Sequence, residues 1–299
     1  MSINPTSDSA LPGSIVDRDA PCRGCGYNLR GLPIDGRCPE CGAMVGVSVQ
    51  GDWLRYSDPQ FVQTLRKGVS YILWGILISV VVAVLAVIVQ VVARGKMAPL
   101  VQLASLLAYV PAIIGGWLLT SPDPSGVGED RYGTARKIIR ITLAIGVANY
   151  LINFASTIAG PLPPTVHLLL QTVVFLAALV GLVGQFAQLN YLSKLALRIP
   201  DHGLSKSATQ IMWGLGLSYG IILFLGFIVT LVALKTRASP AGGAMVGIGC
   251  FMGIVGIAVL IYAIMYISML FKFGKSFEEQ AALARQTWSQ HQFPPPAQA

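Results

Sequence analysis

Four of the five cysteines fall in two C-x2-C-G knuckles, Cys22-Arg-Gly-Cys25-Gly26 and Cys38-Pro-Glu-Cys41-Gly42, with twelve residues between Cys25 and Cys38. A C-x2-C pair puts two thiolates on one tight turn whose backbone N–H groups point at sulfur. The glycine after it tolerates the positive φ such a turn needs. Two knuckles face to face supply a tetrahedral four-sulfur shell, the donor set of a structural zinc ion, and four thiolates also suit a single iron. Disulfides are the alternative chemistry, and a reducing cytosol argues against them. A closed shell leaves no position for a substrate, so the expected role is structural: the ion stabilises a segment too short to build its own core.

The knuckles C-x-x-C-G-Y and C-P-x-C-G resemble those of rubredoxins, and that resemblance implies iron. Rubredoxins carry a much longer stretch with core aromatics between the knuckles. Here residues 26–37 hold Tyr27 as the sole aromatic, which favours zinc as the cofactor over iron. From Asp17 to Gly42 four arginines (Arg18, Arg23, Arg30, Arg37) meet four acids (Asp17, Asp19, Asp35, Glu40). Four thiolates around a divalent ion then leave the ribbon neutral to acidic. Such a surface with one aromatic argues against nucleic acid and for a protein partner.

The rest of the chain must position this ribbon, and its composition limits how. Of 299 residues, 54% are hydrophobic and only 11% charged, against about 25% charged in a soluble domain. That excludes a soluble globular enzyme, a disordered chain and a coiled coil. Uncharged apolar runs of membrane-crossing length predict six helices, over 68–93, 98–120 (with Pro111 inside), 138–160, 165–193, 209–234 and 244–271. The expected fold is an all-α integral membrane protein: a six-helix transmembrane bundle with a small N-terminal four-cysteine zinc ribbon. Around the bundle we expect a disordered N-terminus (1–17), the ribbon (18–45), and a linker with a short interfacial helix (46–67) capped by Ser57-Asp-Pro59. A capping box, Ser276-Phe-Glu-Glu279, is expected to open a separate amphipathic helix within 272–299, ahead of a Pro-rich tail. Phe277, Ala281, Leu283 and Trp288 give that helix an apolar side, which suits the membrane surface or the ribbon.

The net charge of +8 reads as topology. With the N-terminus inside, only Arg94, Lys96, Lys235 and Arg237 of the 21 Lys and Arg fall outside, so both termini are expected in the cytoplasm. The first 60 residues hold no apolar run, so no cleavable signal peptide is expected and the first span is both targeting signal and anchor.

All thirteen acids lie outside the predicted spans, which argues against proton-coupled carriers, intramembrane aspartyl proteases and carboxylate metal sites. Arg140, one turn into the third span, is expected to snorkel to the headgroups. Asn149 and Asn153 share a helix face on the third span, and Gln171 and Gln185 add polar atoms to the fourth. They read as interhelical hydrogen bonding, with a polar cavity between the two spans as the sharper alternative. Gly216-Leu-Ser-Tyr-Gly220 matches a nucleophile elbow in letters but sits inside a helix, where that turn cannot form. With Gly249 and Gly253, these glycines read as packing positions that bring the fifth and sixth spans together or let two copies pair.

The run Cys22-Arg-Gly-Cys25-Gly-Tyr-Asn-Leu-Arg-Gly-Leu32, closed by Cys38-Pro-Glu-Cys41-Gly42, resembles an N-terminal ribbon of uncharacterised planctomycete-type multi-pass membrane proteins. The segment Tyr191-Leu-Ser-Lys-Leu-Ala-Leu-Arg-Ile-Pro-Asp201 looks like the same group. The resemblance implies a bacterial inner membrane and a lineage, but no activity. The expectation is a non-enzymatic protein, with no catalytic residues, whose cytoplasmic ribbon docks or scaffolds a protein partner. A facilitator or lipid-handling transporter using spans three and four, and a membrane-bound iron electron carrier, are the alternatives.

Overall fold

The computed structural model describes residues 13–94, 96–123, 129–160, 163–199, 201–236 and 242–290, with side chains at all of these except 129–131, 164, 167, 230–250 and 290. A short helix α1 (Val45–Val49) and a 3-10 turn (Leu54–Tyr56) follow the cysteine ribbon. Six long helices come next: α2 (Pro59–Val92), α3 (Ala98–Leu119), α4 (Glu129–Ala159), α5 (Pro164–Leu197), α6 (His202–Thr236) and α7 (Gly242–Gln290). All six are long and apolar enough to cross a membrane. The chain is an all-α, multi-pass membrane protein with a four-cysteine cluster at its N-terminal end.

Two helices run on where the sequence suggests breaks. The Asp58 carboxylate accepts from the Gln60 N–H at 2.8 Å and Pro59 takes the first turn, where its missing N–H costs nothing. From there α2 continues to Val92 as one helix, so the interfacial helix and the first span are continuous. Phe61, Val62, Leu65, Val69 and Ile72 form one buried stripe across the expected boundary, and burial on one face favours one rigid rod. At the other end, Ser276 starts no new helix. The 49 residues of α7 are unbroken, about 74 Å at 1.5 Å per residue and more than twice the hydrocarbon thickness. Phe273, Phe277, Ala281 and Ala284 are buried across that junction, while Leu283 faces outward.

Each long helix packs on the next in sequence, and α7 returns to α2. The tightest approach is between α2 and α3. A Cβ at Gly68 would lie 2.7 Å from the Leu119 nitrogen, and one at Gly115 would lie 2.7 Å from the Gly68 oxygen. Only glycine lets the two backbones touch there.

The largest buried cluster sits at the ribbon end of the bundle. It joins the start of α2 (Leu65, Val69), the end of α3 (Leu119), the end of α5 (Leu192, Leu195), the start of α6 (Ile211) and the end of α7 (Phe273, Phe277). Toward the opposite end, side chains such as Val84, Val87 and Val91 of α2 face outward, as lipid-facing residues do.

Candidate metal centre

The two knuckles fold alike. Gly26 N–H donates to Cys22 O at 2.8 Å and Gly42 N–H to Cys38 O at 2.9 Å. The knuckles close with Cys22 N–H to Tyr27 O and Cys38 N–H to Ala43 O, both 2.8 Å. Gly26 and Gly42 have φ of 80° and 72°, the left-handed turn that their place after the second cysteine requires. Three isolated antiparallel bridges, Ile15 with Pro33, Pro21 with Asn28 and Arg37 with Met44, stitch the ribbon. Its small core is Val16, Ala20, Leu29, Ile34 and Val45 with Cys22 and Cys38. The ribbon begins earlier than residue 18, because Ile34 N–H donates to Ser14 O and Val16 N–H to Leu32 O. Residues 1–12 and the Pro-rich tail from 291 lie outside the described residues.

All four sulfurs lie within 4.8 Å of one another. Cys22 and Cys41 Sγ are 3.6 Å apart, as are Cys25 and Cys38 Sγ. Four sulfurs in a tetrahedron, each about 2.3 Å from a central ion, sit about 3.8 Å from one another; a disulfide needs about 2 Å. The spacing fits a metal and the four thiols are free. Gly24 makes this approach possible: a Cβ there would lie 3.1 Å from Cys41 Sγ. The sequence points only to the glycines after the knuckles, and Gly24, inside the first one, is the addition.

The thiols share their charge unevenly. Burial opposes ionisation of Cys22, yet the N–H groups of Gly24 and Cys25 and the nearby sulfurs hold it at about 7. The Tyr27 N–H favours a thiolate at Cys25, but desolvation and the other three sulfurs push it up to about 12. Crowded sulfurs of this kind ionise together when a cation sits among them. Cys22, Cys25, Cys38 and Cys41 could therefore hold one divalent ion as a closed structural site.

The ribbon is fastened to the bundle at two places. The Arg37 guanidinium stacks on the Trp288 ring at 4.0 Å, so the extension of α7 reaches the ribbon. The other is a buried polar node that the sequence reading did not single out. Arg198, at the end of α5, has a side chain 5% exposed and pairs with Asp123 at 2.9 Å and Asp52 at 2.5 Å. It also donates to Ser57 Oγ at 3.0 Å, and its backbone oxygen accepts the Leu54 N–H at 3.0 Å. Nearby, the Tyr191 hydroxyl donates to Leu119 O at 3.1 Å. One arginine thus ties the ribbon's linker to the ends of α3 and α5. The signal was available: Arg198 and Tyr191 lie in the Tyr191–Asp201 segment, and a basic residue in the last turn of a helix beside an acidic loop is a natural ion-pair site. Burial pushes the Asp52 carboxyl up, Arg198 pulls against that, and Asp123 adds to the push.

The other positions behave differently from expectation. Asn153 Nδ2 donates to Asn149 O at 2.8 Å and to Asn149 Oδ1 at 3.3 Å, so this pair bonds along α4 instead of between helices. Gln171 is exposed and Gln185 half-buried on α5. On that helix Gln188 bonds across to α7, its Nε2 donating to the Tyr266 hydroxyl at 3.3 Å. Arg140 does not reach outward: it donates to Thr120 O at 2.9 Å and to Thr120 Oγ1 at 3.1 Å, and lies over Trp117, closing the C-terminal end of α3. A Cβ on Gly216 would run into the Phe186 ring, and one on Gly220 would lie 4.0 Å from Leu182, so both face α5. Gly214, under Tyr262, is the glycine that meets α7, because two residues along a helix turn the face by about 200°. A Cβ at Gly253 would meet open space, and the surroundings of Gly249 lie outside the described side chains.

No known family model, curated protein or solved structure matches the chain.

Proposed function

We propose that the protein is a non-enzymatic membrane protein whose zinc ribbon is a protein-docking module held at the cytoplasmic membrane surface. The observation that carries this reading is an anchored ribbon that keeps groups exposed. Arg37 of the ribbon meets Trp288 of α7, and the Arg198 node holds the linker that follows it. Cys25 and Cys41 at the knuckle tips stay exposed, as do Tyr27, 40% exposed, and Ile15, 63% exposed. Exposed apolar groups on a rigid, anchored platform suit protein recognition. A shell closed by four sulfurs supports a structural ion over a catalytic one, and the short stretch between the knuckles favours zinc over iron. The lysine and arginine asymmetry supports both termini inside, and the ribbon's resemblance supports a bacterial inner membrane.

A photo-crosslinking amino acid at position 27 in the full-length protein, expressed in its own host, tests the docking role. An adduct to another protein is expected, and Cys38→Ser should abolish it. Crosslinking confined to lipid or to the chain itself, or an adduct indifferent to Cys38→Ser, would refute the proposal.

A further inference from the structure

An open apolar groove of about 480 Å³ runs between α2 and α7, lined by Ser70, Leu73, Trp74, Ile76, Leu77 and Val80 of α2 and by Ile267 and Phe271 of α7. At about 100° per residue its α2 positions fall on one face of that helix. From Ser70 to Val80 the stripe spans about 15 Å, half the hydrocarbon thickness and so one leaflet. The groove also points toward the ribbon end of the bundle, where the two helices carry charge. Continuing the α2 stripe one turn back reaches Lys67 and Arg66, and continuing the α7 stripe one turn on from Phe271 reaches Lys275 and then Glu278.

Arg66 pairs with Glu278 at 3.2 Å, which clips the two helices together just past the groove mouth. Lys67 and Lys275 are exposed there, and among the described residues neither takes part in an ion pair. Counting Lys272 and Glu279 as well, the mouth holds two more cations than anions. An apolar slot one leaflet deep, closed at headgroup height by unpaired lysines, has the two chemistries of a phospholipid in the right order.

We propose that this groove binds an anionic phospholipid, one acyl chain lying along Trp74 and Leu77 and the phosphate held between Lys67 and Lys275. The inference rests on the membrane-spanning reading of α2 and α7 and is independent of what the ribbon docks. Binding here joins the first and last helices of the circuit, beside the α7 extension that carries Trp288 to the ribbon.

Native mass spectrometry of the full-length protein, titrated with phosphatidylglycerol or phosphatidylcholine of matched chains in a neutral detergent, tests it. One saturable phosphatidylglycerol site is expected. Lys67→Gln with Lys275→Gln should weaken it about 25-fold, about 5-fold per lysine, toward the phosphatidylcholine level. Arg94→Gln with Lys96→Gln, at the opposite end of the bundle, should leave it unchanged. Leu73→Trp, which fills the groove and keeps both lysines, should weaken both lipids. Equal wild-type binding of the two lipids overturns the proposal, as does phosphatidylglycerol preference that survives loss of both lysines. Circular dichroism of each variant confirms that the helices are intact when lipid is lost.

Discussion

Removing the metal, by a chelator or by Cys38→Ser, is expected to unfold the ribbon and leave the six long helices standing. The ribbon's own apolar core is five small or medium side chains, Val16, Ala20, Leu29, Ile34 and Val45. Ordering about 30 residues costs about 1–2 kcal/mol each in backbone entropy alone, far more than so few buried side chains return. A structural zinc ion contributes an apparent ~10–16 kcal/mol in small zinc domains, and a metal ion bound with comparable strength would be the decisive term here. The helices keep their own buried cluster, which shares no residue with the ribbon core. Trypsin checks this directly, because cleavage after Arg23, Arg30 and Arg37 requires the knuckles to open. Chelated protein should be cut at these sites within minutes while metal-loaded protein resists, with the helical circular dichroism of both nearly equal. Identical cleavage rates would show that the ribbon holds without an ion.

Breaking the Arg198 node is expected to be the next most damaging change. Arg198→Met leaves the carboxylates of Asp52 and Asp123 facing each other with their shared partner gone, and removing one member of a buried ion pair costs about 3–5 kcal/mol. The Ser57 hydroxyl and the Asp52 backbone oxygen lose a charged donor as well. Thermal unfolding of the full-length protein in detergent should show a clear drop in midpoint, partly restored by adding Asp123→Asn. The pH dependence has a definite sign. Asp52 is raised in the folded protein, so the fold binds that proton more tightly than the unfolded chain does. Its contribution is therefore fullest at low pH and is lost as pH rises through the folded value. Without Arg198 the push on Asp52 grows, and the variant's deficit should shrink as the pH is lowered from neutral toward the raised Asp52 value. A deficit independent of pH would mean that lost packing, not stranded charge, sets the cost.

What the sequence discloses and what it conceals divide along physical lines. The spans and the metal ligands are legible because each depends on local pattern: length and apolarity for a membrane helix, a fixed four-residue turn for a sulfur knuckle. The ends of helices are less legible. Pro59 and Ser276 both look like starts, and only Pro59 is one. The stripe of Phe273, Phe277 and Ala281 finds a buried face beyond the bilayer, and that tertiary contact overrides the local capping signal at Ser276. The glycines fail for a similar reason. The G-x-x-x-G spacing finds Gly216 and Gly220, but the closest backbones meet at Gly68 and Gly115, whose partners lie on another helix and leave no trace in local spacing. Arg198 stands out as a basic residue at a helix end, but its side-chain partners are not legible, because they lie 75 to 146 residues away in sequence. The Asn149–Asn153 pair shows the reverse: a spacing that suggests contact with a neighbour is satisfied within its own helix.

One metal ion bound by four sulfurs is expected to organise the ribbon. X-ray absorption at the zinc edge, with metal content measured on the same full-length sample under reducing conditions, checks this. One zinc per chain is expected, with four sulfur neighbours at about 2.3 Å and no nitrogen or oxygen in the shell. A folded, trypsin-resistant ribbon without stoichiometric metal would contradict it, and so would a shell in which Cys22, Cys25, Cys38 or Cys41 is replaced by a lighter donor.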